Sequence, residues 1–431
     1  MSGRLASAAA LLAVMSACLS GCGETSPGAS PGDDVEVFAA APDADAFYSV
    51  PAMVPNDPGT IIDSRASTFQ PGGVPEPQSA WQLKYVTRDV AGRAITAVAT
   101  VVKPLVPNLY GHPVLVSFQH AYDSLGAGCT PSHTDAGSTS NTTNMAETLE
   151  YLPGLQTLGW TLVIPDYEAL QSAFGAGVLS GQATLDAVRA ALRFEPLGLS
   201  PDTPVALWGY SGGSLASTWA AALQPSYAQD LNLVAVAAGG TPANLFELMR
   251  GMDNTANVPL MLSLIFGVTR AYPEFLPAAL LTDKGRQTLA AMKDGCESNT
   301  TDGSPAPAGP LSDFIAASDP FLTPGFVATS SRLSLLQSPL HPAADVYLFH
   351  EIHDELVPVE GADQLVAQWC AAGTPLTYYR SDLGTAGGAV PAVGVHVAGA
   401  ALGTPAVIAY LNGRFSGIAT PVTPPGSVRC N

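Results

Sequence analysis

Pro204-Val205-Ala206-Leu207-Trp208-Gly209-Tyr210-Ser211-Gly212-Gly213, followed by Ser214-Leu215-Ala216-Ser217-Thr218-Trp219-Ala220, is an apolar run that ends in a glycine-flanked serine and passes into a helical pattern. Val205 to Trp208 is short and continuously apolar, which suits a strand covered on both faces. Leu215, Ala216, Trp219 and Ala220 recur at helical spacing. Between the two, Gly209-Tyr210-Ser211-Gly212-Gly213 fits G-x-S-x-G. Glycines there let the backbone turn sharply and let strand and helix approach, which pushes the serine hydroxyl out at the end of the strand. The pentapeptide alone is a weak signal, since roughly 0.3 matches arise by chance in a chain this rich in glycine. A second match, Gly28-Ala29-Ser30-Pro31-Gly32, has no strand before it and a proline inside it. The strand-to-helix context singles out Ser211 as a candidate nucleophile, against the plainer reading of a glycine-rich structural turn.

Similar apolar runs recur at Pro113 to Phe118, Trp160 to Ile164, Leu233 to Ala237 and Val346 to Phe349, with Leu376 to Tyr379 as a weaker last member. Helical patterns lie at Thr184 to Phe194, Leu215 to Leu223, Ala362 to Cys370 and Pro405 to Leu411. Upstream, Trp81 to Thr87 and Ala94 to Val102 flank Asp89-Val90-Ala91-Gly92 and read as a hairpin. The alternation predicts an α/β fold with a mostly parallel, doubly wound sheet, its core split between 45–240 and 336–431. Thr241 to about Leu335 breaks the rhythm with apolar helical segments, a Gly/Pro/Ser-rich piece from Asp302 to Pro310 and no clear strand. It is expected to form an inserted, mainly helical cap over 241–335. Leu260-Met261-Leu262 and Leu264-Ile265-Phe266 suit either a hydrophobic ligand or the cap's own core.

The chain carries 17 Lys and Arg against 36 Asp and Glu, a net charge of −19, which repels a phosphate backbone and argues against a nucleic-acid partner. With 47% hydrophobic and 12% charged residues it has material for a deep core and does not read as disordered. Past the first twenty residues the longest apolar stretch, Val258 to Val268, falls short of the ~20 residues a spanning helix needs. At the N-terminus, Arg4, the apolar run Leu5 to Ala17 and Leu19-Ser20-Gly21-Cys22 resemble a bacterial lipoprotein signal over 1–21, with Cys22 as the acylated residue. That reading implies export and membrane association through the lipidated Cys22, either on the cell envelope or outside the cell. The alternative is an ordinary signal peptide that happens to contain Cys18 and Cys22. Residues 22–44, rich in Gly, Pro, Ser, Ala and Asp, read as a flexible tether. Cys129, Cys296, Cys370 and Cys430 remain, and in an exported chain four cysteines imply two disulfides, without spacing choosing among the three pairings.

A serine hydroxyl is a weak nucleophile and needs a base within hydrogen-bond reach and an acid to orient that base. After such a turn on an α/β sheet the acid comes next along the chain and the histidine last. His341, His350, His353 and His396 follow Ser211. His396 lies beyond the last strand in the Gly- and Ala-rich stretch Gly394 to Gly399, read as a loop before the final helix. His341 precedes a strand and His350 ends one, poor places for a base. The acid is expected in Glu351-Ile352-His353-Asp354-Glu355-Leu356, before Val357-Pro358. Asp354 is the leading candidate there, with Glu351 and Glu355 as solvated carboxylates. A metal reading of His350, His353 and Asp354 lacks a third histidine or a second carboxylate to complete it.

Ordered motifs extend over nearly the whole mature chain. They include Asp45-Ala46-Phe47-Tyr48, Pro58-Gly59-Thr60-Ile61-Ile62, Val116-Ser117-Phe118-Gln119-His120, Cys129-Thr130-Pro131-Ser132, Pro165-Asp166-Tyr167-Glu168, Leu185-Asp186-Ala187-Val188-Arg189-Ala190, Leu207 to Gly213 and Pro225-Ser226-Tyr227-Ala228. In these the chain resembles the secretory lipase family of α/β-hydrolases, which includes the fungal lipase A type and many bacterial exported lipases. The resemblance implies a serine ester hydrolase acting on acyl esters, lipid esters or triacylglycerols among them, with Ser211, Asp354 and His396 as the triad and no cofactor. It implies an oxyanion hole from the N–H groups of Gly212 and Asp123. Many bacterial relatives carry His-Gly-Thr-Thr-Gly where this chain has His120-Ala121-Tyr122-Asp123-Ser124, so His120 and Asp123 also read as structural loop residues. Family disulfides imply Cys129 with Cys296 and Cys370 with Cys430. Two alternatives to ester hydrolysis stand beside it: an acyltransferase or peptidase using the same three residues, and a lipid-binding surface lipoprotein with an idle site.

Overall fold

The computed structural model describes residues 36–297, 303–384, 394–418 and 423–431. Cys22, the leader 1–21 and the first part of the tether lie outside the described residues. Among those described, ten strands form one sheet in the order β1-β2-β3-β5-β4-β6-β7-β8-β9-β10. These are β1 (Ile61–Phe69), β2 (Glu76–Arg88), β3 (Ala94–Lys103), β4 (Leu115–Gln119), β5 (Thr161–Pro165), β6 (Val205–Tyr210), β7 (Leu233–Gly239), β8 (Asp345–Glu351), β9 (Leu376–Ser381) and β10 (Val428–Cys430). From β5 through β9 the neighbours run parallel, while β1, β2, β3 and β10 add on antiparallel at the two edges. The longer helices are α1 (Thr142–Pro153), α2 (Gly177–Arg193), α3 (Gly212–Tyr227), α4 (Leu245–Met252), α5 (Val258–Ala271), α6 (Asp283–Met292), α7 (Val359–Ala372) and α8 (Gly394–Phe415).

Strand alternation divides the core. Val205 and Leu207 of β6 join α2, α3 and the helices after β7 on one face, whereas Ala206, Trp208 and Tyr210 join α1 and α8 on the other. Both faces are therefore dry, which is why β4 to β8 read as unbroken apolar runs. Residues 241–335 connect β7 to β8 and contain α4, α5 and α6 but no strand of the sheet. Arg270 of α5 fastens this insertion down. Its buried guanidinium donates to the carbonyls of Phe38, Leu125, Gln171, Ser172 and Lys293, at 2.6–3.1 Å.

Two sequence expectations are corrected here, and two edge strands are added. The tether does not extend to residue 44: Phe38 is fully buried against Phe266, and Ala41 N–H donates to Asp294 Oδ1 at 2.6 Å. The buried ring and the hydrogen bonds of Phe38 O and Ala41 N–H anchor it together. The edge strands β1 and β10 escaped notice because β1 is mostly polar and half-exposed and β10 has only three residues. Finally, Gly394 to Gly399 is the first turn and a half of α8 rather than a loop. Its small residues serve close packing: a Cβ on Gly403 would sit 2.2 Å from the Phe349 ring. By length and composition α8 is apolar enough to cross a membrane, although polar residues such as His396 and Thr404 interrupt its apolar run. It packs on β7 and β8.

Candidate functional site

The site begins where β6 turns into α3. Ser211 occupies that turn with φ +52°, a conformation that side chains other than glycine rarely adopt, and its N–H donates to Gly239 O at 2.9 Å. The turn is tight because β4 presses on it. A Cβ on Gly213 would lie 1.9 Å from the backbone oxygen of Gln119. Gly213→Ala is therefore expected to lower stability by about 1–3 kcal/mol or more, read as a fall in denaturation midpoint, since only backbone movement relieves the clash.

His396, on the first turn of α8, and Asp354, on the loop after β8, converge on this serine. Ser211 Oγ donates to His396 Nε2 at 2.8 Å, and His396 Nδ1 donates to Asp354 Oδ2 at 2.6 Å. Asp354 Oδ1 accepts the N–H groups of Leu356 and Val357 at 3.0 and 2.7 Å, so the carboxylate is held from both sides. Burial acts to push the Asp354 carboxyl up, but hydrogen bonds from His350, His396 and Val357 prevail and hold it well below the usual range. It stays ionised and orients the imidazole. His350 supports Asp354 from 3.5 Å and donates to Val357 O at 2.8 Å. His353 points away to Asp382, so the metal reading loses its second histidine. Among the described residues no group of three or more His, Cys, Asp or Glu could hold a metal.

The two other carboxylates of the acid loop were expected in solvent and are not free there. Glu351 is buried and accepts Leu383 N–H at 2.9 Å. Glu355, though exposed as a residue, accepts the N–H groups of Val395 and His396. Neither role follows from spacing, because the partners lie 32 or more residues away.

Ser211 and His396 open onto a cavity of about 450 Å³, within the range that small-ligand sites occupy. Leu260, Leu356, Val397 and Ala400 give it apolar walls. Of the six cap residues singled out from the sequence only Leu260 reaches it; Met261, Leu262, Leu264, Ile265 and Phe266 are buried in the core. Asp123 lines the cavity with φ +39°, and its Oδ1 occupies the space a Cβ on Gly212 would need, 1.9 Å from that position. Gly212 is the first residue of α3, so its N–H has no partner within the helix. His120, by contrast, is a structural loop residue. It is fully buried, pairs with Glu147 at 3.0 Å, and burial pushes its imidazole down to about 4.

Glu147, Glu150 and Glu297 also line the cavity, and no motif announced them. Glu147 Oε2 accepts Ala121 N–H at 2.8 Å and so braces the loop that carries Asp123. Glu297 N–H donates to Ser124 Oγ at 2.8 Å, next to the disulfide that joins Cys296 to Cys129. The second disulfide joins Cys370 to Cys430. Both pairings are those the family resemblance implied.

A family model described as secretory lipase matches residues 134–422. The chain belongs to the secretory lipase family. It is 32% identical over 373 residues to a secreted triacylglycerol lipase of Malassezia globosa, covering 84% of this chain and 75% of that one. Lipase 5 of Candida albicans is 32% identical over 406 residues, covering 88% and 82%. A probable inactive lipase of Mycobacterium tuberculosis is 30% identical over 392 residues, covering 87% and 83%. Among solved structures, Candida antarctica lipase A in its closed state superposes with a TM-score of 0.79 at 25% identity, covering 91% of this chain and 89% of that one. As a secretory lipase the chain has the α/β-hydrolase fold and is a serine ester hydrolase.

Proposed function

We propose that the protein hydrolyses acyl esters, triacylglycerols among them, by two-step acyl transfer at Ser211. The reading is carried by the hydrogen-bonded series Asp354, His396, Ser211 at 2.6 and 2.8 Å, opening on an apolar cavity. His396 takes the Ser211 proton as the hydroxyl attacks the ester carbonyl, and Asp354 stabilises the imidazolium. The N–H groups of Gly212 and Asp123 hold the oxyanion, His396 returns the proton to the leaving alcohol, and water then releases the acid from the acyl-enzyme. The insertion 241–335 acts as the cap, contributing Leu260 to the acyl wall. Substrate class follows from relatives named triacylglycerol lipases and from these apolar walls. Export follows from the leader and from relatives named as secreted, with Cys22 as the lipid anchor.

A fluorophosphonate probe tests the mechanism. The expected result is a single adduct mapped to Ser211 and a matching loss of activity on a panel of acyl esters of increasing length. An unlabelled Ser211 in folded protein would instead favour the idle site that the Mycobacterium tuberculosis relative's name describes. Cys22→Ala is expected to release the protein from the membrane fraction; unchanged partitioning would reject the anchor.

A further inference from the structure

His396 sits where a helix is weakest. The first turn of α8 has N–H groups with no partner inside the helix, and helix ends fray. A general base needs its imidazole held within about 0.5 Å of the productive position. The side-chain bonds to Ser211 and Asp354 orient the ring, but they do not hold the backbone that carries it.

Two further contacts do. Tyr210 Oη donates to the carbonyl oxygen of His396 at 2.8 Å, across 186 residues of sequence. On the opposite side of the same residue, the Glu355 carboxylate accepts the N–H of His396 at 3.2 Å and that of Val395 at 3.0 Å. A carboxylate at this end of a helix is stabilised both by the free donors and by the macrodipole. Tyr210 is nearly fully buried, its ring 5.1 Å from the imidazole and 5.6 Å from Phe349, so it is rigidly placed. Tyr210 immediately precedes Ser211, and Glu355 immediately follows Asp354.

Resting on the reading of His396 as the base, we infer that Tyr210 and Glu355 are positioning residues that fix its backbone from its carbonyl and amide sides. The chain neighbour of the nucleophile holds the carbonyl of the histidine, and the chain neighbour of the acid holds its amide, so the peptide units on both sides of its Cα are fixed. The backbone of His396 is thereby tied to the end of β6 that leads into Ser211 and to the loop that carries Asp354.

The test uses the full-length protein and a short, soluble acyl ester. Tyr210→Phe removes one hydroxyl and leaves the ring packing intact. It is expected to lower kcat about 10- to 100-fold, the cost of misplacing a reacting group by about 1 Å, with KM changed less than about twofold. Fluorophosphonate labelling of Ser211 is expected to slow by the same factor. Glu355→Ala is expected to do likewise, and Glu355→Gln, which keeps an acceptor oxygen, to recover most of the loss. Unchanged kcat in both Tyr210→Phe and Glu355→Ala, or losses confined to KM, would overturn the inference. Wild-type hydrogen exchange gives a test independent of the variants' folding. The Val395 and His396 amides are expected to exchange at least about 100-fold more slowly than in an unstructured peptide, and exchange at the unprotected rate would overturn the clamp. Should wild-type protein label at Ser211 yet hydrolyse no ester, the proposed function fails while this exchange measurement still decides the clamp.

Discussion

Ser211→Ala is expected to lower kcat by roughly 10⁶-fold, to a rate that the oxyanion donors and binding alone sustain. The reason is the absence of any substitute: the hydroxyl is the group within 2.8 Å of His396 Nε2, and the strained turn that presents it cannot bring another side chain to that place. His396→Ala is expected to cost about as much, because the two groups act as a unit. Asp354→Asn leaves the geometry in place but removes the charge that fixes the imidazole tautomer, for a loss of about 10⁴-fold. Rates on a soluble ester, with folding monitored by circular dichroism, check all three. Retained activity in His396→Ala would move the base to another histidine.

The second large effect is on pH. Several carboxyls around the loop that carries Asp123 are buried and hold their protons far above the ordinary range. Burial pushes Asp123 up to about 8 and Asp166 to about 7, and drives Glu147, Glu150 and Glu168 upward as well. For these groups the folded state binds protons that the unfolded chain releases above pH 4 to 5. Their contribution to stability is complete below the unfolded values and is lost as pH rises toward 8. Asp354, held below its ordinary value, works in the opposite direction and loses its contribution in acid. Maximal stability is therefore expected at mildly acidic pH, with a Tm at pH 8.5 at least about 5 °C below that at pH 5. Turnover is expected to share this basic limb. Ionised Asp123 places a negative charge beside Gly212 N–H, the donor proposed for the oxyanion, and Asp123→Asn is expected to flatten the limb near pH 8. A Tm that rises from pH 5 to 8.5 would contradict the assignment.

The parts of the molecule legible in the sequence were those fixed by local pattern. β4 to β8 announced themselves because both faces of the sheet are covered, so each strand carries apolar side chains on both alternations rather than on one. Ser211 announced itself through its strand-to-helix context. Asp354 and His396 emerged from chain order and position relative to strands. What escaped was set by packing between distant segments. Glu355 looked like a solvated neighbour of Asp354 because its partners come from a helix whose first turn is written in glycine, valine and alanine. That composition reads as loop until the rings of Tyr210 and Phe349, which need small residues opposite them, are in place. Glu147, Glu150 and Glu297 reach the cavity from α1 and from the insertion, and neither placement leaves a mark on local periodicity.

The two disulfides close covalent rings over 129–296 and 370–430. Ser211 lies within the first ring and His396 within the second, while Asp354 lies between them. A protease that nicks the chain once inside either ring leaves one molecule, its ends still joined through sulfur. A single cut between 297 and 369, where the exposed Gly- and Pro-rich segment 303–308 lies, severs the polypeptide into two pieces with no covalent bond between them, joined only by the β7–β8 pairing and the shared core. A cut in 303–308 leaves Ser211 on one piece and Asp354 and His396 on the other, so that the site is then held together by noncovalent packing alone.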